Sequence, residues 1–163
     1  MRVASLLFLR TAAAAVSAVH LGLSSYATQL FVQWTLSGAP SNARVEYGAS
    51  AGALTSTATG TAWSWTDSSS GRVYHHAMAT LTGLTPGARF YYKAGDDAAF
   101  SAVTAATATR APAQFSQDAP LRIGWLGDLG VANAQALPYL VNETGLDMFI
   151  HVGGACSCAW RAL

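Results

Sequence analysis

Asp128 is the residue of this chain best placed to do chemistry. It follows the apolar run Ile123-Gly124-Trp125-Leu126 and stands inside Gly127-Asp128-Leu129-Gly130. A carboxylate at the carboxyl end of a strand in an α/β sheet lies where ligands bind. The neighbouring glycines let backbone approach an ion or a phosphate. Asp beside Gly is also ordinary turn chemistry, so the local pattern fits a metal ligand or a plain turn. The wider spacing adds weight to the ligand. His151 stands 23 residues further on, in Ile150-His151-Val152-Gly153, where a second parallel strand would end on the same edge. Two such strands, each carrying a carboxylate, are what a two-metal site needs, with its ions ~3.5–4 Å apart.

The other candidates have plainer readings. His151 reads as a packing residue or as support for a ligand. His75 and His76 are adjacent, so on a strand they point to opposite faces and cannot share an ion. They read as structural, as does His20. Cys156 and Cys158 are too close for an unstrained bridge. With His151 they lack a fourth zinc ligand, so they read as incidental thiols. Asn142-Glu143-Thr144 is a glycosylation sequon, which matters only for a secreted chain. Trp63, Trp65 and Tyr74 fit either a sugar-binding patch or cross-strand packing, and packing is the simpler account.

These residues need elements to hold them. Leu30, Val32 and Trp34 alternate with Phe31 and Gln33, the period of a strand with one face in a core. Val45 and Tyr47 alternate likewise before Gly48. Leu54 to Thr59, Tyr74 to Leu81, Phe90 to Ala94 and Phe100 to Thr107 read as further strands. Ser37-Gly38-Ala39-Pro40-Ser41 and Asp67-Ser68-Ser69-Ser70-Gly71 read as turns. Short strands at this spacing predict an antiparallel sandwich. Pro112 and Pro120 mark a connector with an extended path. Beyond it, Leu121–Leu126 reads as a buried strand and Leu146–Val152 as a second apolar strand, flanking a helix capped by Asn133 and running to Glu143, which Pro138 would kink or start later. Strand, helix and strand with short joints make a βαβ unit with parallel pairing.

Composition bounds the rest. The chain has 163 residues, with 9 Lys+Arg against 8 Asp+Glu. A net charge of +1 gives no electrostatic case for nucleic acid. Residues 1–18 combine Arg2, an apolar stretch and small residues ending in Ala-Val-Ser-Ala, the order of a secretory signal. The stretch is too short and broken for a transmembrane helix.

Several motifs together carry a family resemblance. Leu84-Thr85-Pro86-Gly87-Ala88-Arg89-Phe90-Tyr91-Tyr92 resembles the fibronectin type III signature, with Phe90 where a tyrosine usually closes the corner. Trp34 matches the tryptophan of the second strand. Val19-His20-Leu21, Val45-Glu46-Tyr47-Gly48, Tyr74-His75-His76-Ala77 and Leu81-Thr82-Gly83-Leu84-Thr85-Pro86-Gly87 look like the N-terminal domain of purple acid phosphatases, which are calcineurin-like metallophosphoesterases. Gly127-Asp128-Leu129-Gly130 is similar to that family's first metal motif. The resemblance runs from Val19 to Gly153.

The resemblance implies a mostly β chain: a signal at 1–18, a fibronectin type III-like sandwich at 19–109, a linker at 110–119, the start of a metallophosphatase domain at 120–153 and a divergent tail at 154–163. It implies phosphomonoester hydrolysis at a binuclear centre of Fe(III) with Zn, Mn or Fe, with Asp128 as an iron ligand. It also implies a phosphomonoester substrate, no nucleic-acid partner, a secreted or vacuolar-lysosomal route with Asn142 as the glycan site, and leaves a homo-oligomer open. One departure stands out. The family's second motif, Gly-Asp-x-x-Tyr, has Gly154 at its bridging Asp and Ser157 at its Tyr. The chain therefore reads as a truncated or frame-shifted, catalytically incomplete fragment in which Asp128 is a vestigial ligand. The alternative is a non-catalytic sandwich that binds a partner.

Overall fold

The structure, a computed structural model, describes residues 16–127 and 145–152. Eight strands form two antiparallel sheets. They are β1 (Val16–Leu23), β2 (Leu30–Leu36), β3 (Arg44–Gly48), β4 (Ser56–Thr59), β5 (Thr61–Thr66), β6 (Val73–Leu81), β7 (Arg89–Gly95) and β8 (Thr104–Thr107). One sheet has the order β1-β2-β6-β5 and the other β4-β3-β7-β8. A short 3₁₀ turn, Pro112–Gln114, leads to β9 (Ile123–Gly127) and β10 (Met148–Val152), which pair in parallel.

The alternation of β2 sets the core. Leu30, Val32, Trp34 and Leu36 are buried while Phe31, Gln33 and Thr35 face outward. Ala77, Ala79 and Leu81 of β6 lie on the same inner face. Across the interior stand Val45 and Tyr47 of β3 and Phe90, Tyr92 and Ala94 of β7. Trp34 is fully buried and its indole N–H has no hydrogen-bond partner among the described residues. Its ring edge lies where the chain crosses from β4 to β5. A Cβ on Gly60 would stand 2.9 Å from Trp34 Cη2, so only glycine lets the crossing pass that close.

A tyrosine does close a corner, from an unexpected strand. The Tyr47 hydroxyl donates to the Thr82 carbonyl at 3.0 Å and accepts from the Thr82 N–H at 3.3 Å. Phe90 is buried beside Tyr92, their ring centroids 5.8 Å apart. The corner is thus held by Tyr47 through hydrogen bonds and by Phe90 through burial alone.

Several boundaries differ from the sequence reading. Strand β1 begins at Val16, and β5 is a full strand that the sequence pattern did not single out. The strand expected from Leu54 begins at Ser56, and the one expected from Phe100 begins at Thr104. Phe100 is drawn back under two cations, with Arg44 and Lys93 at 4.8 and 4.4 Å from its ring centroid. The connector is not wholly extended. Ala111 is extended, as a residue before proline must be, but Pro112 then starts a helical turn. The Gln114 side chain closes that turn by accepting from the Ala111 N–H at 2.6 Å and donating to the Pro86 carbonyl at 3.2 Å. The helix expected between Asn133 and Glu143 lies outside the described residues.

Candidate metal-site edge and its supports

The chemistry read from sequence rests on the ends of β9 and β10. Their register pairs Ile123 with Met148 and Gly127 with Val152, so the two strands end level on one edge. Asp128 follows β9 directly in sequence, and Gly153-Gly154 follows β10. Asp128 itself lies outside the described residues, as do Asn142, Gly154, Cys156, Ser157 and Cys158. His151 stands opposite Leu126 in the ladder. Among the described residues no three His, Cys, Asp or Glu side chains lie together as a metal site.

Local packing explains why this strand carries glycines. A Cβ on Gly124 would stand 2.7 Å from the Phe149 ring and 2.8 Å from Leu146. Phe149 and Leu146 therefore press onto bare backbone near the start of β9. A Cβ on Gly127 would meet the Val152 carbonyl at 3.2 Å, so glycine lets the strands stay close where they end.

What ties this pair to the sandwich is an arginine clasp that the sequence reading missed. The Arg110 guanidinium grips Asp147 in a two-pronged fork, Nε to Oδ1 and Nη2 to Oδ2, both at 2.6 Å. The same guanidinium donates to the carbonyls of Ala119 at 3.2 Å and Pro120 at 2.8 Å. It lies over the Phe115 ring at 4.3 Å. Asp147 also accepts from the Arg122 N–H at 2.9 Å, and its own N–H donates to the Arg122 carbonyl at 2.9 Å. One side chain from the end of the sandwich thus fixes the connector and the approach to both strands. The hydrogen bond from Arg110 holds the Asp147 carboxyl below its ordinary value, with help from the Arg122 N–H and both positive charges. The only signal for this in sequence is an Arg just past the last sandwich strand and an acid just before an apolar run, which is too common to read.

The histidines of β6 behave as their adjacency implies. His76 stands opposite Thr35 and Trp63, hydrogen-bonded to Thr35 Oγ1 at 3.1 Å and tilted against Trp63 with centroids 5.7 Å apart. His75 pairs with Leu36 and Ser64, on the alternate face. His20 Nδ1 lies 3.0 Å from the Ala18 carbonyl. Trp65 stacks on Tyr74, centroids 5.5 Å apart, with Arg72 over the same tyrosine at 4.9 Å. Cross-strand packing is therefore real, but the outer surfaces of Trp63 and Trp65 stay open, 42% and 57% exposed.

A family model described as "Purple acid Phosphatase, N-terminal domain" matches residues 16–108, more than half of the chain. Mouse acid phosphatase type 7 is 33% identical over 141 residues, which is 83% of this chain and 31% of that protein. The structure of purple acid phosphatase PPD1 from yellow lupin seeds superposes with a TM-score of 0.67 at 18% identity, covering 88% of this chain and 30% of the lupin chain. The chain thus spans about a third of the length of these relatives. At that identity the lupin structure supports the fold, and the matched sandwich supplies the rest: the chain belongs to the purple acid phosphatase family through its N-terminal domain.

Proposed function

We propose that this chain is the sandwich and the first strand pair of a phosphomonoester-hydrolysing protein, and that by itself it does not turn over phosphate esters. The observation that carries the reading is the level ending of two parallel strands, with Asp-Leu-Gly after one and Gly-Gly after the other. The first half supports a metal ligand, because α/β sheets bind ions at the carboxyl ends of their strands. The second half removes the partner. A binuclear centre in this family uses Fe(III) with Zn, Mn or Fe and needs a bridging carboxylate. Glycine at 154 has no side-chain donor, and Ser157 is a poor stand-in for tyrosinate. The donor set does not fit two metals, so no hydrolytic step is assigned to this chain.

The sandwich then acts as the mount. Its core is self-contained, and the Arg110 clasp sets where β9 and β10 leave it. The test is turnover of a chromogenic phosphomonoester at acidic pH with iron and zinc added, beside an Asp128→Ala control and metal analysis after desalting. The expected result is equal, background rates and no retained iron–zinc pair. A rate above the control, lost with Asp128, would refute the reading. The second reading, a non-catalytic interaction module, is favoured by the open strand β5.

A further inference from the structure

Strand β5 is exposed at every one of its six residues. Among the described residues it is joined along one edge only, by β6. Its side chains are open on both faces, and among the described residues no strand pairs with its second edge. Folded proteins guard such edges with charges, proline, bulges or brevity. The other sheet edges follow that rule. Strands β4 and β8 have four residues each, and β1 is partly buried with a register shift between Ser17 and His20. Thr61-Ala62-Trp63-Ser64-Trp65-Thr66 has no charge and no proline, and its register on β6 runs without a shift.

The edge is also preformed. The loop that closes the β5–β6 hairpin is tied by Asp67, which accepts from the N–H and hydroxyl of Ser69 and the hydroxyl of Ser70 at 2.6–2.9 Å. Trp65 is stacked on Tyr74 and Trp63 leans on His76. The strand stands away from the point where the connector leaves the sandwich. Strand β4 lies over β6 and joins β5 through Gly60 at one side of the sandwich. The connector leaves from β8, at the opposite edge of the other sheet.

The sequence of the strand is nearly mirrored about Ser64. We propose that β5 pairs antiparallel with β5 of a second copy of this chain, around a two-fold axis through Ser64. The two four-stranded sheets then run on as one. In this register Ser64 faces the partner's Ser64, Trp63 faces the partner's Trp65, and Ala62 faces the partner's Thr66. Residues directly opposite share a face, so the four indoles form one patch of two facing pairs, the kind of cross-strand aromatic contact that stabilises sheets. An isologous interface needs a self-complementary patch, and an uncharged, mirrored strand supplies one. The area sets the strength. Two indoles near half exposure offer roughly 200 Å² per copy, against ~800 Å² per partner in a standard interface. The dimer is therefore weak and concentration-dependent.

Sedimentation velocity on the full chain over about three decades of concentration tests this. The mean mass is expected to climb from that of the 16.9 kDa chain toward twice that value. Ser64→Lys sets two lysines face to face at the axis, and Trp63→Lys with Trp65→Lys opposes like charges twice. Both are expected to stay monomeric with an unchanged circular dichroism spectrum. Trp63→Glu with Trp65→Lys matches opposite charges across the axis and is expected to dimerise again. A wild-type chain that stays monomeric throughout overturns the proposal and leaves the strand to a glycan or a foreign strand. A dimer indifferent to the Lys variants, or a charge-matched variant no better than the repulsive one, overturns it as well.

Discussion

Tyr47 does a job that the sequence assigns to another position. In sandwiches of this kind a tyrosine at the start of the strand here numbered β7 bonds nearby backbone. Phe90 occupies that place and has no hydroxyl. Tyr47 reaches from β3 to Thr82 and both donates to and accepts from its peptide groups. The bonds are partly buried, so deleting the hydroxyl leaves Thr82 with poor alternatives. Tyr47→Phe is expected to lower stability by about 1–2 kcal/mol, read as a lower urea midpoint at unchanged slope. A midpoint within error of wild type would show that water replaces the hydroxyl at no cost. Phe90→Tyr gains nothing in this account, because the Thr82 groups are already taken.

At the scale of elements, the Arg110–Asp147 fork decides how the strand pair is carried. The Asp147 carboxyl is held below its ordinary value of 3.8 by the Arg110 hydrogen bond. A depressed folded-state value means the clasp's contribution is fully present above 3.8 and fades as the pH falls through the lower folded value. The fork therefore survives mildly acidic conditions. Arg110→Gln or Asp147→Asn is expected to speed proteolytic cutting within 111–121 at neutral pH while leaving the sandwich intact. Wild type is expected to show the same faster cutting only well below pH 3.8, measured with an acid-stable protease. Equal cutting of wild type and variants at neutral pH would show that the clasp does not hold the connector. Strands with clean alternation, such as Leu30–Leu36, were legible in sequence because period two marks one buried face. Strand β5 was not, because all its residues are exposed and no buried face leaves a pattern. The clasp was not legible either. It joins residues 37 apart through side chains, and no local spacing signals that. The parallel pair was legible from two apolar runs.

For the whole molecule, the distribution of buried surface separates two parts of unequal strength. Among the described residues, every member of the buried cluster lies between Leu30 and Ala108, inside the sandwich. Beyond it, Ile123 is 44%, Trp125 70%, Phe149 42% and Val152 47% exposed. A parallel pair is stable only with both faces covered, and two strands alone are marginal in water. The sandwich should then fold without the segment it carries. A fragment of residues 16–109 is expected to give one calorimetric transition, its midpoint within a few degrees of the main transition of the full chain. The loss on cutting there is small: the Gln114 bond to the Pro86 carbonyl and the Arg110 contacts to the connector. A fragment that fails to fold, or melts far below the full chain, would mean that β9 and β10 are part of the folding unit rather than its passenger. The contrast also bears on the lineage. Strands that expose tryptophan and phenylalanine beside the edge where a metal ligand would leave are shaped for covering layers, which in an α/β domain are supplied by helices and further strands. Among the described residues the sandwich buries its own core, whereas β9 and β10 pair only with each other.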